Sequence, residues 1–179
     1  MQKYDWYTEI LANESLEQGD IIEKCNVIIP NAQSYDAISN GEISDINVIE
    51  INGIVLSQSC DIANNKVDSI ILCPITPLKD IEIFKNSRDR EALRRGNSPA
   101  YHLLNKLRTA TLLEDYYVVS FHHIYSVPKK FVETFIKSKP RKRLQPPYRE
   151  HLSQSFARYF MRVGLPSDIP REEIEKYKF

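Results

Sequence analysis

Apolar and polar residues follow each other in short blocks through the first half of the chain, and this pattern predicts β-strands. The apolar runs are rich in Ile and Val and are bounded by Gly, Asn or Pro, which is typical of strands rather than helices. The Asn52-Gly53 pair predicts a hairpin turn. The predicted strands cover residues 20–29, 45–51, 54–57 and 69–74, with a later one within 116–126.

Helical spacing of apolar residues appears at both ends of the chain. It predicts a short amphipathic helix over 4–11 and a last helix over 149–163. Between them, Ser87 and Gly96 are suited to begin and end a basic helix over 89–95. Pro128 suits the first turn of a further helix with an apolar stripe through Phe131 and Ile136.

These elements predict one α+β domain over residues 1–166. Its strand-rich core covers about 16–127, C-terminal helices cover about 128–164, and residues 167–179 form a flexible tail. A chain of 179 residues with 42% hydrophobic residues buries a core without a disulfide or a metal. We therefore expect no cofactor and no metal.

The location of the protein is predicted from the same survey. No apolar run approaches the roughly 18 residues of a membrane span, and the first residues lack the layout of a signal peptide. Three cysteines without a CxxC spacing fit a reducing compartment. We expect a cytoplasmic protein that does not contact a membrane.

The net charge of zero hides an asymmetry between the two halves. Residues 1–84 hold 4 Lys and Arg against 14 Asp and Glu, whereas residues 85–179 hold 20 against 10. Either the halves neutralise each other within the fold or a basic face is offered to a partner. We expect mainly neutralisation, because opposite charges on segments of one domain commonly lie close together.

One stretch resembles a known family. Residues 53–61 read Gly-Ile-Val-Leu-Ser-Gln-Ser-Cys-Asp, Gly19-Asp20-Ile21 precedes them, and a strand ending in Pro74-Ile75-Thr76 follows. Over roughly residues 16–127 this order resembles the PemK/MazF family of plasmid-maintenance toxins. The resemblance implies a small SH3-like β-barrel and an endoribonuclease site that includes Ser57 and Thr76.

The chain departs from that family at one position. PemK/MazF toxins commonly place an arginine before the Val-Leu-Ser strand, where this chain has Asn52-Gly53, and no Lys or Arg lies between Lys24 and Lys66. RNA cleavage without a metal needs a base and a cation for the developing charge. The sequence does not supply that cation locally.

Cys60 and Asp61 are two further candidates for catalysis. A thiol just past a buried strand, with His122 and His123 on a later strand, suits a nucleophile that awaits a base. The alternative is a packed Cys60, with Asp61 accepting hydrogen bonds from the amides of residues 63–65. A metal site of the three cysteines with His102 or His123 lacks local ligand pairs.

A basic strip over residues 137–143 holds five cations among seven residues. Pro140 and Pro146-Pro147 predict that it is extended and exposed. The residues expected to bind a partner protein or a nucleic acid are Arg141, Lys142, Arg143, Tyr148, Arg149, Arg158 and Arg162.

The function that these features favour is a non-catalytic, protein-binding accessory module. By analogy with toxins carried on mobile elements, its setting is bacterial defence or mobile-element biology. Two alternatives stay open, namely a PemK/MazF-like endoribonuclease and a nucleic-acid-binding protein that uses the basic second half.

Overall fold

Two antiparallel sheets, of six strands and two strands, carry the fold in the computed structural model, which describes residues 4–42 and 46–161. The strands are β1 (Tyr7–Ile10), β2 (Ile21–Ile29), β3 (Asn47–Val55), β4 (Ser69–Pro77), β5 (Tyr101–Leu107), β6 (Asp115–Ser120), β7 (Tyr125–Pro128) and β8 (Arg141–Leu144). The helices are α1 (Ala32–Ser39), α2 (Ser59–Ala63), α3 (Ser87–Arg94), α4 (Lys129–Ile136) and α5 (Tyr148–Phe160). The described residues thus form an α+β fold, as predicted.

The larger sheet is organised around β4. Its strand order is β2-β3-β4-β6-β5, and the sixth strand, β7, also pairs with β4. The first half of β4 pairs with β7 through Leu72, and its second half pairs with β6 from Ile75 onward. In the described residues β2 and β5 remain edges, so the sheet does not close into a barrel.

Two apolar clusters form most of the core. One lies under β5, β6 and α5 and includes Leu104, Phe121 and Leu152, and the other lies under β2, β3 and α4 and includes Val27 and Val132. The predicted apolar stripes of the last two helices are the faces that pack on these clusters. Burial of these faces stabilises the helices more than their own propensity does.

The first predicted element is wrong. Residues 7–10 form strand β1, not a helix, and pair antiparallel with β8, so that Tyr7 lies opposite Leu144 and Ile10 opposite Arg141. A partner strand more than 130 residues away leaves no local trace in the sequence. The pairing therefore overrides the local helical spacing.

The predicted hairpin turn at Asn52-Gly53 is also wrong, because both residues lie inside β3. A Cβ at position 53 would lie 3.4 Å from the Cys73 carbonyl oxygen and 3.6 Å from the Leu72 Cβ. Gly53 thus permits the close approach of β4 rather than a turn. The true connection between β2 and β3 is the longer segment that carries α1.

The two sheets are joined by a buried ion cluster around Asp20, which is 0% exposed. Its carboxylate accepts hydrogen bonds from Arg141 Nε at 2.7 Å and from Arg143 Nε at 2.5 Å. Both guanidinium groups also donate to the Ser15 carbonyl, and Arg143 Nη1 lies 2.8 Å from Glu17. At this cluster, acidic residues of the first half are therefore paired with basic residues of the second half.

Gly19 is required where β8 meets this cluster. Its φ of +85° lies in the left-handed region, and a Cβ there would lie 3.2 Å from the Leu144 Cβ and carbonyl oxygen. The Gly19 carbonyl accepts the Leu144 amide at 2.9 Å. Position 19 therefore sets the distance between β8 and the start of β2.

We expect Asp20→Asn to lower the free energy of unfolding by about 3 to 5 kcal/mol, because it removes the buried carboxylate that both guanidinium groups bind and leaves Arg141 without a counter-ion. Urea denaturation at pH 7, followed by circular dichroism, measures this change. The matched control is Glu9→Gln, which removes an exposed ion pair with Lys142 and should unfold at the wild-type midpoint. Equal midpoints for wild type and Asp20→Asn would contradict the role given to Asp20.

Candidate functional site

Ser57, Gln58 and Asp61 border a groove of about 380 Å³ that runs between the end of β3 and α5, whereas Ser59 and Cys60 line a separate pocket beside residues 12–17. Ser57 is buried, and its Oγ accepts a hydrogen bond from the Ile71 amide at 2.9 Å. Asp61 also lines the groove, whereas Thr76 lies half-buried on β4 opposite Val118 and is not part of its lining. The structure therefore brings Ser57 and Asp61 together but leaves Thr76 elsewhere.

Gln18 fixes the walls of this groove to each other. Its backbone N–H donates to Ser59 Oγ at 3.1 Å, and its side-chain Nε2 donates to the Leu56 carbonyl and to Ser153 Oγ, each at 2.9 Å. Gln18 thus joins its own loop to residues 56–59 and to α5, three segments that are distant in sequence. Sequence reasoning did not single out Gln18, because an isolated glutamine carries no motif.

Cys60 is exposed, which corrects the prediction of a packed thiol. The reason is that residues 59–63 form the short helix α2, which buries Ile62 and turns Cys60 outward. The Cys60 Sγ lies 3.7 Å from Gln58 Oε1 and 3.8 Å from Asp61 Oδ1. The Asp61 carboxylate also lies 4.0 Å from Lys66 Nζ, rather than on the amides of residues 63–65.

The histidines that were expected to serve Cys60 do not lie on a strand. Strand β6 ends at Ser120, and His122 and His123 are both exposed in the connection to β7. The His122 ring packs edge-on against Tyr159, with Nδ1 3.4 Å from its hydroxyl. Among the described residues, the polar contacts of the Cys60 sulfur thus involve Gln58 and Asp61 and no imidazole.

Only the last three residues of the basic strip lie in a strand, β8, whereas residues 137–140 form an exposed connection between α4 and β8, as predicted. Within β8, Arg141 and Arg143 are 6% and 7% exposed because they point to Asp20. Lys142 points the other way, and its Nζ lies 2.6 Å from Glu9. Period-two alternation along β8 therefore removes two of the expected contact residues from the surface.

The other expected contact residues have mixed positions. Tyr148 stacks on Trp6 with ring centroids 3.7 Å apart, and Arg149 lies 3.6 Å from both Glu17 and Glu150. Arg158 is exposed on α5. Arg162 lies outside the described residues.

Cys25 and Cys73 are free and buried, as expected for small apolar residues within strands. Burial raises the pKa of both thiols, that of Cys73 to about 12. Within 4–42 and 46–161, no group of three or more His, Cys, Asp and Glu residues could hold a metal ion.

A second polar site involves His102 on β5. Its Nδ1 lies 3.0 Å from Ser155 Oγ of α5, and its Nε2 is buried with no hydrogen-bond partner among the described residues. Burial lowers the pKa of His102 to about 4, and the nearby His151 contributes to this shift. The imidazole is therefore neutral at physiological pH.

One group of exposed apolar side chains lies where β2 and β3 extend beyond the rest of the sheet. Only residues 53–55 of β3 pair with β4, so among the described residues the part from 47 to 51 pairs with β2 alone. Five side chains on this two-stranded extension and its connection are at least half exposed. We call them the ribbon surface: Ile28 (60%), Tyr35 (62%), Ile38 (60%), Ile46 (50%) and Val48 (57%).

Sequence reasoning missed the ribbon surface, although Ile46 and Val48 alternate with polar residues within the strand predicted over 45–51. Alternation shows that a strand has two different faces but does not show which face is covered. Here Cys25, Val27 and Ile51 occupy the covered face, and the cross-strand pair of Ile28 and Val48 is left outside. The outer face carries this apolar pair next to the polar pair of Asn26 and Glu50.

Comparison of the chain with family models, curated proteins and solved structures finds no match in any of the three. In the described ranges, none of the helices combines the length and the apolar character that crossing a membrane requires.

We expect iodoacetamide to alkylate one cysteine of the native protein, Cys60. Its thiol is exposed, whereas Cys25 and Cys73 are buried and have raised pKa values. Mass spectrometry of the intact protein and of its peptides measures the site and number of adducts. Cys60→Ser should remain unmodified until denaturant is added, and rapid native labelling of that variant would contradict the assignment.

We expect the protein to lose stability as the pH falls from 6.5 to 4. The pKa of His102 is lower in the folded protein than in the unfolded chain, so the unfolded chain binds the proton first as the pH falls. Protonation of this group therefore lowers the free energy of unfolding by about 3 kcal/mol at pH 4. Urea unfolding across this pH range measures the loss. His102→Gln should flatten the pH dependence, whereas substitution of the exposed His123 by Gln should preserve it.

Proposed function

We propose that this protein is a non-catalytic, protein-binding accessory module and that the ribbon surface is its contact surface. The observation that carries the proposal is the ribbon surface itself, with five large apolar side chains at one end of the sheet. Large apolar side chains that are exposed together on one segment of a small domain indicate a binding surface.

The geometry of the ribbon supports a docking role. Val27 and Ile51 anchor its inner face in the core, so the outer face is held by a folded element. Ile28 and Val48 lie directly opposite each other across the strands. A rigid apolar pair of this kind loses little conformational entropy on binding.

The charge around the ribbon surface indicates the chemistry of the partner. No Lys or Arg lies between Lys24 and Lys66, whereas Asp36, Glu42 and Glu50 surround the apolar side chains in the sequence. A partner with a basic rim around an apolar centre is complementary to such a surface. We therefore infer a partner protein with Lys and Arg around its contact residues.

The contacts of Ser57 and Cys60 support the non-catalytic part of the proposal. Ser57 Oγ accepts a hydrogen bond from the Ile71 amide, and the described contacts of the Cys60 sulfur are with Gln58 and with the exposed carboxylate of Asp61. Nucleophilic catalysis by a serine or a cysteine commonly uses an adjacent imidazole as the base. Among the described residues, no imidazole contacts either of these two atoms.

The proposal keeps the PemK/MazF-like relationship as a hypothesis about architecture. The change of partner along β4, from β7 to β6, supports an SH3-like arrangement because strands of such barrels serve two sheets. We propose a cytoplasmic setting in bacterial defence or mobile-element biology. The free thiols of Cys25 and Cys73 suit a reducing compartment.

We expect the double variant Ile28→Thr/Val48→Thr to weaken partner binding by about 30-fold or more, since two central apolar contacts are lost. The partner is first captured from a lysate of the source cells and identified, and its affinity is then measured by calorimetry with purified proteins. Raising the salt concentration should weaken the complex, because carboxylates surround the contact.

The matched control is Leu113→Thr, which removes a 74% exposed leucine far from the ribbon in sequence. Both proteins should unfold within about 0.5 kcal/mol of wild type, since the changed side chains are exposed. The proposal fails if the double variant binds every purified partner as tightly as wild type. A concentration-dependent dimer that the double variant abolishes would instead identify a second copy of the chain as the partner.

A further inference from the structure

A cavity of about 300 Å³ lies between the start of β2, the end of α4 and the segment leading into β8. Its walls are mainly hydrocarbon and include Ile21, Ile22, Phe135 and Ile136. This volume lies at the lower end of the range for ligand cavities. The cavity therefore suits a small molecule with an apolar body.

A β-bulge places two charged residues at this cavity. Ile22 pairs with Gly53 and Cys25 pairs with Ile51, so two residues of β2 lie opposite Asn52 alone. Those residues, Glu23 and Lys24, both line the cavity. Bulges commonly redirect side chains next to functional sites.

Lys24 is held in a strained conformation at this bulge. Its φ of +52° lies in the left-handed region, where glycine is favoured. The Asn52 Oδ1 stabilises the bulge by accepting the Lys24 amide at 3.0 Å. A lysine kept where glycine is the relaxed choice indicates that its side chain is used.

The ammonium groups of Lys24 and Lys139 and the carboxylate of Glu23 give the cavity a net charge of +1. Within the described residues no ion pair involves Lys24, and Lys139 Nζ lies 3.4 Å from the centre of the Phe135 ring. The Glu23 carboxylate accepts a hydrogen bond from the Thr111 hydroxyl. Arg141 also lines the cavity, but its guanidinium is bound to Asp20.

We propose that this cavity binds a small hydrophobic monocarboxylate. The alkyl or aryl body lies against Ile22, Phe135 and Ile136, and the carboxylate lies between the ammonium groups of Lys24 and Lys139. A single negative charge matches the two lysines and one glutamate at the cavity. This site is separate from the ribbon surface, and its existence does not depend on the proposed function.

Calorimetry of the full chain with octanoate tests the proposal, with octanol as the uncharged probe. We expect octanoate to bind at one saturable site and octanol to bind at least about tenfold more weakly, because charge-assisted hydrogen bonds are lost. Lys24→Gly and Lys139→Gln should each weaken octanoate by about tenfold and leave octanol unchanged. Lys24→Gly should also melt at or above the wild-type temperature, since glycine relieves the left-handed conformation.

The matched control is Lys66→Gln, which changes an exposed lysine that does not line the cavity and should bind octanoate as wild type does. The proposal is overturned if octanoate shows no saturable binding to the folded wild-type protein. Equal affinities for octanoate and octanol would overturn it as well, and so would wild-type octanoate binding by both lysine variants.

Discussion

The buried carboxylate of Asp20 is the constraint on which most of the structure depends. It accepts hydrogen bonds from two arginines that are two residues apart on β8 and therefore lie on one face of that strand. Through them it ties the small sheet of β1 and β8 to the beginning of β2. Without this attachment, the Trp6 and Tyr148 stack and the loop that holds Gln18 lose their support.

The same cluster explains why the charge asymmetry of the chain does not produce two oppositely charged faces. One carboxylate opposite two guanidinium groups leaves a positive excess, which Glu17 and the carbonyls of Glu14 and Ser15 offset. Buried ion pairs stabilise a fold only when their remaining donors and acceptors are satisfied in this way. Among the exposed acidic residues that remain, Asp36, Glu42 and Glu50 belong to the ribbon and its connection, in a segment from 25 to 65 that holds no Lys or Arg.

Elements that local patterns determine were predictable from the sequence. Strands β2 and β4 and helices α4 and α5 lie close to their predicted positions, because each buries one stripe or run of apolar side chains. Elements that depend on distant partners were not predictable. Strands β1 and β8 exist because they pair with each other, and Gly53 lies inside β3 because β4 approaches it closely.

The candidate sites show the same division. Residues 57–61 stand out in the sequence, and Ser57, Gln58 and Asp61 do border a groove, but the exposure of Cys60 follows from a short helix that no periodicity indicates. The burial of Arg141 and Arg143 follows from Asp20, more than 120 residues earlier. The bulge at Lys24 depends on the side chain of Asn52, whose role requires the register of β2 and β3.

The long sequence separation between Asp20 and β8 also has a consequence for biosynthesis. A ribosome makes residue 20 well before residues 141–143, so β2, β3 and β4 pair while the Asp20 carboxylate still lacks both arginines. Contacts that close such large loops form late and slowly. The nascent chain therefore carries an incomplete apolar sheet with open edges until β8 leaves the exit tunnel, and during that interval it is most exposed to aggregation and most dependent on chaperones.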